Sequence, residues 1–61
     1  MPWNNGDYPP SMKNLKPRIR EKAVEIANAL LEDGHDEGSA IAIATSQAEK
    51  WDENHPESED N

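Results

Sequence analysis

Pro17-Arg18-Ile19-Arg20-Glu21-Lys22-Ala23-Val24-Glu25-Ile26-Ala27-Asn28-Ala29-Leu30-Leu31-Glu32-Asp33-Gly34 carries a helix start, a helix stop and an apolar face between them. Proline suits the first helical turn, because its φ is already helical and its missing N–H would have no partner there. Gly34 suits the position just past the last turn, where a positive φ costs glycine little. Ile19, Ala23, Ile26, Ala27 and Leu30 recur at the three- and four-residue spacing that brings side chains to one helical face. A second stripe of Val24, Ala27 and Leu31 widens the apolar arc beyond what one neighbouring helix covers. The spacing therefore predicts a helix near 17–33 packed against two neighbours.

Towards the C-terminus, the link His35-Asp36-Glu37-Gly38 is short, and short links join antiparallel helices. Asp36 or Ser39 is the expected cap of the next helix, and Glu37 in its first turn suits the helix dipole. Ala40, Ala44, Ala48 and Trp51 repeat at spacings of four, four and three, with Ile41 and Ile43 flanking them. They predict a second helix near 37–52 whose alanines approach Ala23, Ala27 and Leu30, with Trp51 closing the end by Ile19. No apolar residue follows Trp51, so Asn54 onward is expected as a disordered acidic tail. This divides the chain into one small helical domain, 1–53, and a tail, 54–61.

Towards the N-terminus, Trp3-Asn4-Asn5-Gly6-Asp7-Tyr8-Pro9-Pro10 reads as an irregular arm, rich in turn formers and ending in two prolines. Ser11 is the expected cap of a short turn through Met12, Lys13 and Asn14, and Pro17 holds Lys16 extended. Trp3, Tyr8, Met12 and Leu15 are the available cover for the second stripe. The fold class expected is all-α: an antiparallel two-helix hairpin with a short N-terminal helical turn and arm.

At 61 residues the chain is near the lower limit for a core that is stable alone. It has no cysteine to staple it, so every large apolar side chain is needed. No stretch approaches the roughly 18 apolar residues of a membrane span, and no basic region followed by an apolar one stands at Met1–Tyr8. The expectation is a cytoplasmic protein without membrane insertion, a monomer or weak homodimer.

The formal net charge is −7, which disfavours general nucleic-acid binding. Its distribution matters more. Lys13, Lys16, Arg18, Arg20 and Lys22 fall within ten positions, opposed locally by Glu21 alone, whereas eleven acids follow Ala23 against Lys50. The cations sit at the start of the central helix and Glu32 and Asp33 at its end, both against the macrodipole at about 0.3–1 kcal/mol each. Two readings remain open. In one, the hairpin brings Asp52, Glu53 and the tail beside Arg18, Arg20 and Lys22, and the chain neutralises itself. In the other, Lys13, Lys16, Arg18, Arg20 and Lys22 form a partner-binding surface for an acidic protein or another anionic surface, screened by the tail.

Candidate chemistry is sparse. Asp33, His35, Asp36 and Glu37 lack the ligand order of a calcium loop, and His35 and His55 lack the further ligands zinc needs, so no metal or cofactor is expected. Ser11, Ser39, Thr45, Ser46 and Ser58 are better read as caps, helix surface or tail than as nucleophiles, and neither histidine stands in the context of a general base. An enzyme is not expected. The leading reading is a non-enzymatic binding or adaptor protein. Tail-regulated nucleic-acid binding and a regulatory contact with a membrane transporter are the alternatives.

Met1-Pro2-Trp3, Asp7-Tyr8-Pro9, Ser11-Met12-Lys13-Asn14-Leu15, Ala23-Val24-Glu25-Ile26-Ala27-Asn28-Ala29, Asp36-Glu37-Gly38, Ala40-Ile41 and Ala48-Glu49-Lys50-Trp51 together resemble the small bacterial YdaT-type proteins over about residues 1–51. The N-terminal Met-Pro, the proline-flanked first turn and the alanine-rich helices are more loosely similar to the ChaB-like group of cation-transport regulators. The resemblance implies a bacterial, compact, mostly helical domain and transfers no catalytic residues. The transporter alternative rests on the ChaB-like similarity alone.

Overall fold

Helix α1 spans Pro17–Glu32 and helix α2 spans Glu37–Asn54 in the computed structural model, after a single 3-10 turn at Pro10–Met12. The structure describes Trp3, Asn4 and residues 6–54. Helix α1 starts and ends, and α2 starts, where the terminal residues dictate. Pro17 occupies the first position of α1, and the extended Lys16 before it supplies the carbonyl that accepts the Arg20 N–H at 2.8 Å.

At the other end, Gly34 has φ +103°, and the chain closes α1 with paired reverse hydrogen bonds. Gly34 N–H donates to Leu31 C=O at 3.1 Å and His35 N–H donates to Leu30 C=O at 3.0 Å. This is the Schellman arrangement, which satisfies the last carbonyls of the helix. Two residues on, Asp36 caps α2. Its Oδ1 accepts the Ser39 N–H at 2.7 Å, and its carbonyl accepts the Ala40 N–H at 2.9 Å.

The two helices are antiparallel, since Arg18 near the start of α1 pairs with Asp52 near the end of α2. Ala40, Ala44 and Ala48 are fully buried on α2, and Ala23 and Ala27 are fully buried on α1. With methyl groups on both sides of the seam, the helices pack closely and little apolar area is available per residue. The remaining core comes from the other flank of α1. There Met12 is fully buried, and Trp3, Tyr8 and Leu15 pack partly buried against the same cluster as Ile19 and Val24. The central helix thus has two neighbours, α2 and the N-terminal arm.

Several local expectations are corrected. The short turn starts earlier than Ser11, because Pro10 occupies its first turn; Pro9 is its N-terminal flank and no side chain caps it. Leu30 and Leu31 are half-buried, since the alanine seam and the arm cover α1 mainly over its first three turns. Trp51 stands at the expected end of the hairpin, over the cations Arg18 and Lys22 of the first turns of α1. Asn54, placed by the sequence at the start of the tail, is the last residue of α2, and residues 55–61 lie outside those described.

Candidate functional site

The five cations of the basic cluster come from three local structures. Lys13 follows the 3-10 turn, Lys16 flanks α1, and Arg18, Arg20 and Lys22 occupy its first two turns. They do not form one uniform patch. Arg18 Nε lies 3.0 Å from Asp52 Oδ1, both side chains being largely covered, and its guanidinium carbon stands 5.0 Å from the centre of the Trp51 ring. Lys22 Nζ lies 3.1 Å from Glu25 Oε1 and 5.4 Å from the same ring. These two cations hold the ends of the hairpin together, at about 0.5–1 kcal/mol for each cation–ring contact.

Arg20 turns the other way. Its guanidinium carbon lies 4.5 Å from the centre of the Tyr8 ring on the N-terminal arm, and its Nε is buried with no hydrogen-bond partner among the described residues. The expected approach of Arg20 to the acidic end of α2 is therefore replaced by stacking on the arm. Lys13 and Lys16 are exposed and pair with no carboxylate among the described residues. The start of α1 also has no side-chain cap and no acidic residue in its first turn, so its backbone partial positive charge adds to theirs.

Asn28 was not singled out in the sequence. It is the buried polar side chain of the core, at 2% exposure, and it grips the backbone of Trp3. Its Oδ1 accepts the Trp3 N–H at 3.2 Å and its Nδ2 donates to the Trp3 carbonyl at 2.9 Å. Beyond Trp3 the arm doubles back on itself. Asn4 and Asp7 exchange backbone hydrogen bonds of 3.0 and 3.1 Å, and Gly6 N–H donates to Asn4 Oδ1 at 2.8 Å. Tyr8 emerges from this turn and meets Arg20.

The hydroxyl-bearing candidates gather elsewhere. Ser11, Thr45 and Ser46 line an open, mainly apolar groove with Gly38, Ile41, Ala42 and Glu49, and His35 is not among its residues. His35 lies at the opposite turn, 4.0 Å from Asp33, and both are exposed. Among the described residues no three His, Asp or Glu side chains converge on a point. The capping role of Asp36 lowers its pKa: the hydrogen bonds from the Ser39 backbone and hydroxyl hold its carboxyl below the usual value, with a smaller contribution from His35. Among the described residues no helix is long and apolar enough to cross a membrane.

Comparison with known proteins bears out the YdaT-type resemblance. The chain is 56% identical over 54 residues to the "Uncharacterized protein YdaT" of Bacillus subtilis (strain 168), a match that covers 88% of this chain and 36% of the relative. The chain thus spans about a third of the length of the curated relative it matches. No family model matches the chain. No solved structure matches it either.

Proposed function

We propose that this domain is a non-enzymatic cytoplasmic adaptor that docks on an acidic protein surface through Lys13, Lys16 and Arg20. The observation that carries the reading is the division of labour within the cluster. Arg18 and Lys22 are engaged with Asp52, Glu25 and Trp51, whereas Lys13 and Lys16 stand exposed with no carboxylate beside them among the described residues, in a chain whose net charge is −7. Acids are plentiful enough to neutralise every cation, so cations with no carboxylate among the described residues are the ones to offer a partner. Electrostatic contacts of this kind act mainly on encounter rate and on the choice of partner.

Affinity capture from a bacterial lysate tests the proposal, with the wild-type chain and a Lys13→Glu/Lys16→Glu/Arg20→Glu variant as baits. Arg18 and Lys22 stay unchanged because they support the hairpin. The expected result is an acidic protein recovered by the wild type, released by moderate salt and missing from the variant. Equal recovery by both baits, or recovery of nucleic acid in place of protein, overturns it.

A further inference from the structure

The arm and the basic cluster meet at one residue pair, and their geometry restricts how an anion can be held. Arg20 places its guanidinium over the Tyr8 ring at 4.5 Å, with Nε buried and without a hydrogen-bond partner among the described residues. A guanidinium binds a carboxylate in two bidentate ways: side-on through Nε and one terminal nitrogen, or end-on through the two terminal nitrogens. Burial of Nε removes the first. Neither terminal nitrogen is completely buried without a partner, and the side chain as a whole is half-buried, so its two-pronged end is the part left to meet a ligand. Tyr8 is held in turn by the Asn4–Asp7 turn and by the clasp of Asn28 on Trp3. The arm thereby sets where the guanidinium stands before any ligand arrives.

We infer that Arg20 is the residue of the basic surface that selects carboxylates, taking a partner's Asp or Glu side chain end-on, and that Tyr8 is its positioning residue. Lys13 and Lys16 supply charge without geometric preference, because a lysine ammonium is a mobile point charge. The inference rests on the proposed docking of an acidic protein and specifies the donor that recognises it. Immobilising a rotamer-rich side chain in advance lowers the cost of binding by an amount equivalent to about two- to tenfold in affinity.

The test is a heteronuclear NMR titration of the full chain with a hexaglutamate peptide at low salt. The wild type and Tyr8→Phe, which keeps the ring, are expected to bind equally. Tyr8→Leu is expected to bind about two- to tenfold more weakly, and Arg20→Lys to lose at least as much. In the wild type the Arg20 Nε–H resonance is expected to stay in place on saturation; a large downfield shift would mean side-on capture and overturn the inference. If Tyr8→Leu also displaces the Trp3 indole resonance, the arm has detached, and Arg20→Lys then decides. Unchanged affinity in Arg20→Lys, alongside loss in a Lys13→Gln/Lys16→Gln variant, overturns the role of Arg20 and leaves the docking surface standing. No binding by the wild type removes both.

Discussion

Burying the carboxamide of Asn28 at 2% exposure is tolerable because the group it meets is a peptide backbone with one donor and one acceptor to match. A carboxamide facing an apolar wall would be costly, whereas here each polar atom on either side has its partner. Replacing it exposes the asymmetry of hydrogen bonding: Asn28→Ala leaves the N–H and C=O of Trp3 half-buried without partners. The expected loss of stability is about 2–3 kcal/mol, a large share of what a chain this small can hold. Urea unfolding followed by tryptophan fluorescence checks it, and a loss under about 0.5 kcal/mol would mean that the arm is held by its side chains alone. Asn28 was hard to read in the sequence because asparagine has no strong preference inside a helix. The available signal was its register, four residues after Val24 and three before Leu31, which places it within the stripe the arm covers.

At the scale of elements, the helices were legible because their ends are written in residues of restricted conformation. Pro17 and Gly34 mark α1 to within a residue, and Asp36 marks the start of α2. The ion pair Arg18–Asp52 was legible too, as soon as the hairpin was antiparallel. The redirection of Arg20 onto Tyr8 was not, since it depends on the path of an irregular arm that no periodicity encodes. The cap of α2 makes a further prediction about acid. Ser39 holds the Asp36 carboxyl below its ordinary value of 3.8, so the folded state binds this proton less readily than the unfolded state. A depressed carboxylate contributes stability that is fully present above its unfolded value and is lost as pH falls through its folded value. Asp36→Ala is therefore expected to melt below the wild type at neutral pH, and the gap is expected to shrink as pH drops from about 5 to 2. Thermal melts followed by circular dichroism read this, and a gap independent of pH would sink the assignment.

For the whole molecule, the decisive quantity is the balance between one well-placed ion pair and an excess of acid. At one end of the hairpin Arg18 faces Asp52 at 3.0 Å, largely sheltered from solvent. At the other, Glu32, Asp33, Asp36 and Glu37 crowd the link around His35 alone, and Glu32 and Asp33 also face the negative end of the α1 dipole. Two like charges about 12 Å apart in water repel by roughly 0.35 kcal/mol, and a net charge of −7 contains many such pairs. Raising ionic strength from about 10 to 150 mM shortens the screening length from roughly 30 to 8 Å, which weakens these distant repulsions far more than a sheltered contact. Salt is accordingly expected to raise the melting temperature by several degrees, the reverse of the effect on a fold held by surface ion pairs. A fall in melting temperature over that range would show that Arg18–Asp52 and its neighbours outweigh the repulsion. The same salt would weaken capture of an acidic partner, because that contact is exposed and joins opposite charges. Stability and binding should therefore respond to salt with opposite signs in this protein, and a single titration that follows both separates the charge which holds the fold from the charge offered to a partner.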